Sequence, residues 1–169
     1  YDHLKLLEHY CDGNLRELAK KITLDNAMLN YLDNTQNNAN NPNENYAREF
    51  LELFTITKGE QIGEGDYTTY TEDDVIQAAR VFSGFKTMLD RSIIDSDTGI
   101  PMGRISVNQH DQTDKIFSHA FDNYELQAGT DENSIMDELH EFVDMIFDKE
   151  ATAKAYIEKL YRFFVKSEW

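Results

Sequence analysis

From Asp131 to Phe164 apolar residues recur at helical spacing, and this pattern constrains the fold more than any other stretch of the chain. Ile135, Leu139, Phe142, Val143, Ile146 and Phe147 make one stripe, and Tyr156, Ile157, Leu160, Tyr161, Phe163 and Phe164 make a second. Spacing of this kind lays one helix face against a core, so two long helices that supply much of the core are predicted, with Asp148 capping the second. Shorter runs precede them. Leu4, Leu7, Tyr10 and Cys11 repeat until Asp12-Gly13. Leu15, Leu18, Ala19 and Ile22 follow an N-cap at Asn14, and Met28, Leu29 and Leu32 follow one at Asp25. Thr71 and Asp74 have capping-box spacing ahead of Val75, Ala78, Ala79 and Phe82, and Gly84 supplies a stop.

Two stretches break the helical period. Asn34 to Asn41 carries no strongly apolar residue and reads as a surface loop. Between residues 86 and 123 no helical period is sustained, but Ile105 and Val107 alternate with polar residues, and Ile116, Phe117 and Phe121 form a further apolar patch. An irregular insertion with a small β-hairpin between residues 100 and 122 is the economical expectation. The fold class expected is mainly α: a single-domain orthogonal assembly of about six to seven helices over residues 1–169, with that insertion inside it. A chain of 169 residues suffices for one core that buries roughly 70% of the unfolded surface.

Charge and composition exclude several roles. Asp and Glu number 32 against 16 Lys and Arg, a formal net charge of −16 with no basic cluster against the trend. Nucleic-acid binding draws on basic side chains that neutralise phosphates, so no nucleic-acid partner is expected. No run approaches the ~18 apolar residues of a membrane span, so no membrane insertion is expected either. Cys11 stands alone and makes no internal disulfide. The chain opens on Tyr1-Asp2-His3-Leu4 with neither an initiating Met nor a signal-peptide pattern, and reads as a processed product or an excised piece.

Two polar constellations are candidates for chemistry. Asn41 as N-cap, Pro42 at the first helical position and Glu44 at the third would start a helix through Phe54 by a capping box. Its polar half gathers Glu44, Asn45, Arg48, Glu49 and Glu52. These carboxylates suit a divalent cation, but Arg48 at helical spacing from Glu44 and Glu52 competes by pairing, at ~0.3 kcal/mol per exposed pair. A buried structural network among Asn45, Arg48, Glu49 and Glu52 is the third alternative. In the other constellation, His110 beside Asp111 suits general acid–base chemistry, with Lys115 placed to stabilise developing negative charge. The plainer alternative is a turn capped by Asp111 and paired with Lys115, and neighbours in extended chain point to opposite faces. Asp95-Ser96-Asp97-Thr98-Gly99 has the start of a calcium loop, with Gly99 one position early and Ser106 where the closing Glu belongs. No zinc spacing, phosphate loop or nucleophile elbow is present, and no metal or cofactor is assigned.

Several segments together resemble one family. Ala27-Met28-Leu29-Asn30-Tyr31-Leu32-Asp33, Pro42 through Glu49, and Leu53-Phe54-Thr55 are similar to the bacterial family called domain of unknown function 1800. Tyr70 through Val75, Ala78 through Phe85, His110-Asp111 with Lys115, and Lys159 through Val165 continue the likeness in order. Phe85 stands where the family usually has Trp, and Ser118-His119 where it usually has a Gly, which puts that turn in question. The resemblance implies an exported, periplasmic or cell-surface bacterial protein with no assigned reaction, of which this chain is a central to C-terminal piece. Two functions follow as expectations. One is a helical binding or assembly module whose partner is another protein or a further segment of its parent chain. The other is a hydrolase-like enzyme, metal-assisted or not, in which His110, Asp111 and Lys115 meet the acidic face of residues 44–52. The second requires the two constellations to converge within ~10 Å on one pocket.

Overall fold

The computed structural model describes residues 1–166. α1 (Asp2–His9) leads into a turn closed by Gly13 N–H on Tyr10 O. Asn14 Oδ1 accepts from Arg16 N–H to start α2 (Leu15–Ile22), and Asp25 Oδ2 accepts from Met28 N–H to start α3 (Asn26–Tyr31). α4 (Asn45–Glu49) continues as a π-turn over Phe50–Phe54. β1 (Gln61–Gly63) pairs with β2 (Asp66–Tyr67), and α5 (Glu72–Val81) follows behind the Thr71–Asp74 capping box. β3 (Phe85–Lys86) pairs with β4 (Arg104–Ile105), and β5 (Lys115–Ile116) with β6 (Glu125–Leu126), all antiparallel. α6 (Glu132–Phe147) and α7 (Glu150–Phe164) close the chain. The fold is thus mainly α, with seven α-helices and three small strand pairs among the described residues.

The core sits where α4, α5 and α6 meet. Phe82 packs edge-on against Tyr46, Phe50 and Phe142, with ring centroids 4.8, 5.1 and 5.3 Å apart, and Phe117 stacks on Phe142 at 5.4 Å. These rings are buried, so truncating Phe142 to Ala would cost ~3–5 kcal/mol in transfer and cavity energy. Tyr46 keeps its hydroxyl satisfied 3.0 Å from Thr23 Oγ1. Burial pushes the Tyr46 phenol well above its ordinary pKa.

Four sequence expectations change here. The helix of residues 42–54 begins only at Asn45, and Asn41 with Glu44 forms no capping box. Asn41 N–H instead meets Asn38 O at 3.0 Å, and Asn45 N–H is taken by Asn43 Oδ1 at 3.0 Å, so the local amides use up the bonds a cap would make. The Asn-rich stretch is not simply a surface loop. Asn34 and Asn37 are fully buried, because their amides donate to Phe82 O and Ala79 O, two carbonyls left open at the end of α5. The strands between residues 100 and 122 pair outward, with residues 85–86 and 125–126, rather than with one another. Asp148 is the C-cap of α6, and its carboxylate reaches Arg16 Nη2 at 2.6 Å, while Lys149 takes the N-cap position of α7 without a side-chain bond.

α7 supplies less core than its stripe implies. Thr152 and Ala155 are buried, and Tyr156 and Lys159 donate to Phe54 O and Leu53 O, satisfying carbonyls at the end of the π-turn. Ile157, Leu160, Phe163 and Phe164 are exposed.

Candidate functional site

The joint between α5, α6 and the irregular segment is built around two glycines. Gly84 has φ of +81°, and a Cβ there would lie 2.8 Å from both His110 N and Ser106 O, so only glycine lets the 106–110 backbone lie on the end of α5. Gly129 approaches the first turn of α6 so closely that a Cβ would meet Ile135 N at 2.4 Å. Between them His110 turns inward. Its Nδ1 is 2.9 Å from Ser83 O and its Nε2 is 3.0 Å from Glu138 Oε2. Glu138 Oε2 also accepts from Gly129 N–H at 2.7 Å. Lys115 Nζ lies 2.6 Å from Glu138 Oε1 as an ion pair and donates to Asp111 O at 2.5 Å.

Ser83 O accepts only, so its bond to His110 is made by the imidazole that carries a hydrogen on Nδ1. Burial pulls the Lys115 pKa below its ordinary value, and Glu138 offsets part of that shift. The side chains of His110, Lys115 and Glu138 are all 0% exposed. A substrate has no route to them in this arrangement.

Asp111 does not join the cluster. Its carboxylate faces Arg80, with Nε at 2.9 Å and Nη2 at 3.3 Å, and accepts from Thr113 N–H at 3.0 Å. Burial alone would raise the Asp111 pKa, but Arg80 and Thr113 outweigh it and hold the carboxyl well below the usual range. The residue that sequence reasoning missed is Glu138. Its signal was a charge set inside the apolar stripe of α6, between Ile135 and Phe142, where a solvated carboxylate has no place.

The other constellation is an open fan of charges. Arg48 Nη2 is 2.8 Å from Glu72 Oε2 and 3.2 Å from Glu44 Oε2, and its Nη1 is 4.0 Å from Glu52 Oε1. Glu52 accepts from Tyr70 OH at 2.6 Å, and Asn45 Nδ2 donates to Leu32 O at 3.2 Å. Its bond to Arg48 holds the Glu72 carboxyl below its ordinary pKa. Glu49 is half-buried and has no hydrogen-bond or ion-pair partner among the described residues. Arg48 and His110 share no partner, and neither lines the clefts around Ile100, around Ser118 or around Lys5.

Cation sites fare similarly. Asp95 and Asp97 each hold Lys21 Nζ at 2.6 Å, so an internal ammonium stands where the calcium-like loop would hold its ion. Among the described residues no group of three or more His, Cys, Asp or Glu is placed to hold a metal. Asp74 does more than cap. It accepts from Thr71 N–H and Ser118 N–H at 2.7 Å and from Ser118 Oγ at 2.6 Å, which gives Ser118 a structural use.

The model of the family described as protein of unknown function (DUF1800) matches residues 1–169. The chain belongs to the DUF1800 family. No curated protein and no solved structure is significantly similar to it. In this DUF1800 chain two of the family-like segments meet directly: Arg80, Ser83 and Gly84 from one hold Asp111 and His110 from the other. Among the described residues no helix is long and apolar enough to cross a membrane.

Proposed function

We propose that this DUF1800 chain is a helical binding and assembly module of an exported bacterial protein rather than a catalyst. The observation that carries this is the closure of the His110–Lys115–Glu138 cluster at 0% exposure, since acid–base chemistry requires a group within hydrogen-bond reach of substrate. The exported, bacterial placement is supported by the family resemblance alone. The surface best suited to assembly is the outer face of α7. Ile157, Leu160 and Phe164 lie a helical turn apart and face solvent, while the opposite face buries Thr152 and Ala155. Around them Lys149, Lys154, Lys159 and Lys166 outnumber Glu150 and Glu158, in a chain whose net charge is −16. A second copy of the chain offers the acidic surface that complements this basic, apolar arm.

Sedimentation velocity over a concentration series tests the assembly. The wild type is expected to self-associate and to weaken with salt, and Leu160→Glu to stay monomeric. A wild type that is monomeric throughout, or a Leu160→Glu variant that associates equally well, overturns it. Fractionation of the native bacterium checks the placement, with the chain expected outside the cytoplasm.

A further inference from the structure

Away from both constellations, a cleft of about 270 Å³ opens between the end of α2, residues 93–105 and the first turns of α6. Leu6, Leu24 and Ile100 form a buried floor, and Met102, Ile105 and Met136 are half-buried in its walls. The two methionines make those walls adaptable to an apolar guest. The rim carries charge, and its two cations differ. Lys21 is tied to Asp95 and Asp97, whereas the Arg104 side chain makes neither a hydrogen bond nor an ion pair among the described residues.

Arg104 also sits directly across the β3–β4 pair from Lys86, and like charges facing each other on a ladder destabilise it. Lys86 Nζ is occupied by Thr35 O at 2.7 Å and Asn37 O at 3.1 Å. Its pKa is lowered, first by burial and then by Arg104. An anion on Arg104 would relieve that repulsion. A guanidinium fork matches a carboxylate with two parallel hydrogen bonds. Asp25, Asp95 and Glu132 also line the cleft, so they repel negative charge placed away from Arg104 and most of all a head group with more than one such charge.

We infer that this cleft binds a monocarboxylate with an apolar tail, its head on Arg104 and its tail against Ile100, Met102 and Met136. The inference goes beyond the assembly proposal, and none of the lining residues belongs to α7. A monomeric protein that binds the carboxylate would sink the assembly alone, and an associating protein that ignores it would sink this site alone.

The test follows the methyl resonances of Met102 and Met136 by NMR during titration with decanoate, and with 1-decanol as the neutral match, both below their aggregation thresholds. Decanoate is expected to shift both methyls saturably in the wild type. Arg104→Gln should weaken decanoate by ~10-fold and leave 1-decanol unchanged, because only the charge-assisted bond is lost. Met136→Trp should block both ligands by filling the cleft. The absence of a saturable shift, equal decanoate affinity in Arg104→Gln, or undiminished binding in a folded Met136→Trp variant overturns the site. Arg104 is an exposed residue, so the decisive variant does not endanger the fold.

Discussion

Two polar constellations in this molecule use the same residue chemistry in opposite surroundings. Arg48 spreads its guanidinium over Glu44, Glu52 and Glu72 at the surface, with each of those carboxylates at least a quarter exposed. Lys115 and His110 converge on one carboxylate, Glu138, that water does not reach. Around Arg48 any one partner can leave and solvent takes its place. Around Glu138 the loss of one partner strands the others, because a buried charge without its counter-charge carries its full desolvation cost. The cluster therefore acts as a lock between α5, the irregular segment and α6, whereas the fan is a set of interchangeable surface contacts.

The largest expected effect breaks the lock. Lys115→Met leaves the Glu138 charge buried with only His110 and Gly129 N–H against it, and is expected to lower unfolding free energy by ~3–5 kcal/mol in urea denaturation. Adding Glu138→Gln to that variant removes the stranded charge and should recover part of the loss, so the two substitutions should be strongly non-additive. A Lys115→Met variant of nearly wild-type stability, or two costs that simply add, would mean that the groups are not coupled.

A middle effect comes from the edge of the same joint, where Asp111 is held by Arg80. The folded Asp111 carboxyl titrates below its unfolded value of ~3.9, so the stability it contributes is complete above that value and is lost as pH falls through the folded one. Asp111→Asn should cost ~1–3 kcal/mol at neutral pH and flatten the acid limb of a plot of melting temperature against pH. The two proteins should converge at the most acidic end. Parallel curves across the whole range would show that Arg80 does not shift this carboxyl.

The contrast also explains what was legible in the sequence. The stripe of α6 and the Thr71–Asp74 cap were readable because their determinants are local: apolar spacing within one helix, and two residues three apart. The mainly α class follows from such patterns. Local rules failed where a partner lies far along the chain. Asn34 and Asn37 are polar and yet buried, because the carbonyls they satisfy belong to α5. His110 and Lys115 were visible as reactive types, but Glu138, which brings them together, has no neighbour in sequence to reveal its role. The failed cap at Asn41 has the reverse cause. Several amides in a row offered competing local bonds, and spacing alone cannot rank them. Strands of two residues are too short to show an alternation, so the pairings of β3 with β4 and β5 with β6 were not readable either.

The smallest expected effect sharpens the comparison from its other side. Arg48→Met keeps the aliphatic stem that packs along α4 and removes only the charge, leaving Glu44, Glu52 and Glu72 to solvent and to Lys58, which already lies 3.5 Å from Glu52. Because these pairs are partly exposed, the loss should not exceed ~1 kcal/mol, and salt should shrink it further by screening the attraction. Denaturation of Arg48→Met and wild type at low and high ionic strength measures both quantities. A loss comparable to that of Lys115→Met and insensitive to salt would place Arg48 in a buried network after all. The half-buried Glu49 beside it would then be the first residue to test as its hidden partner.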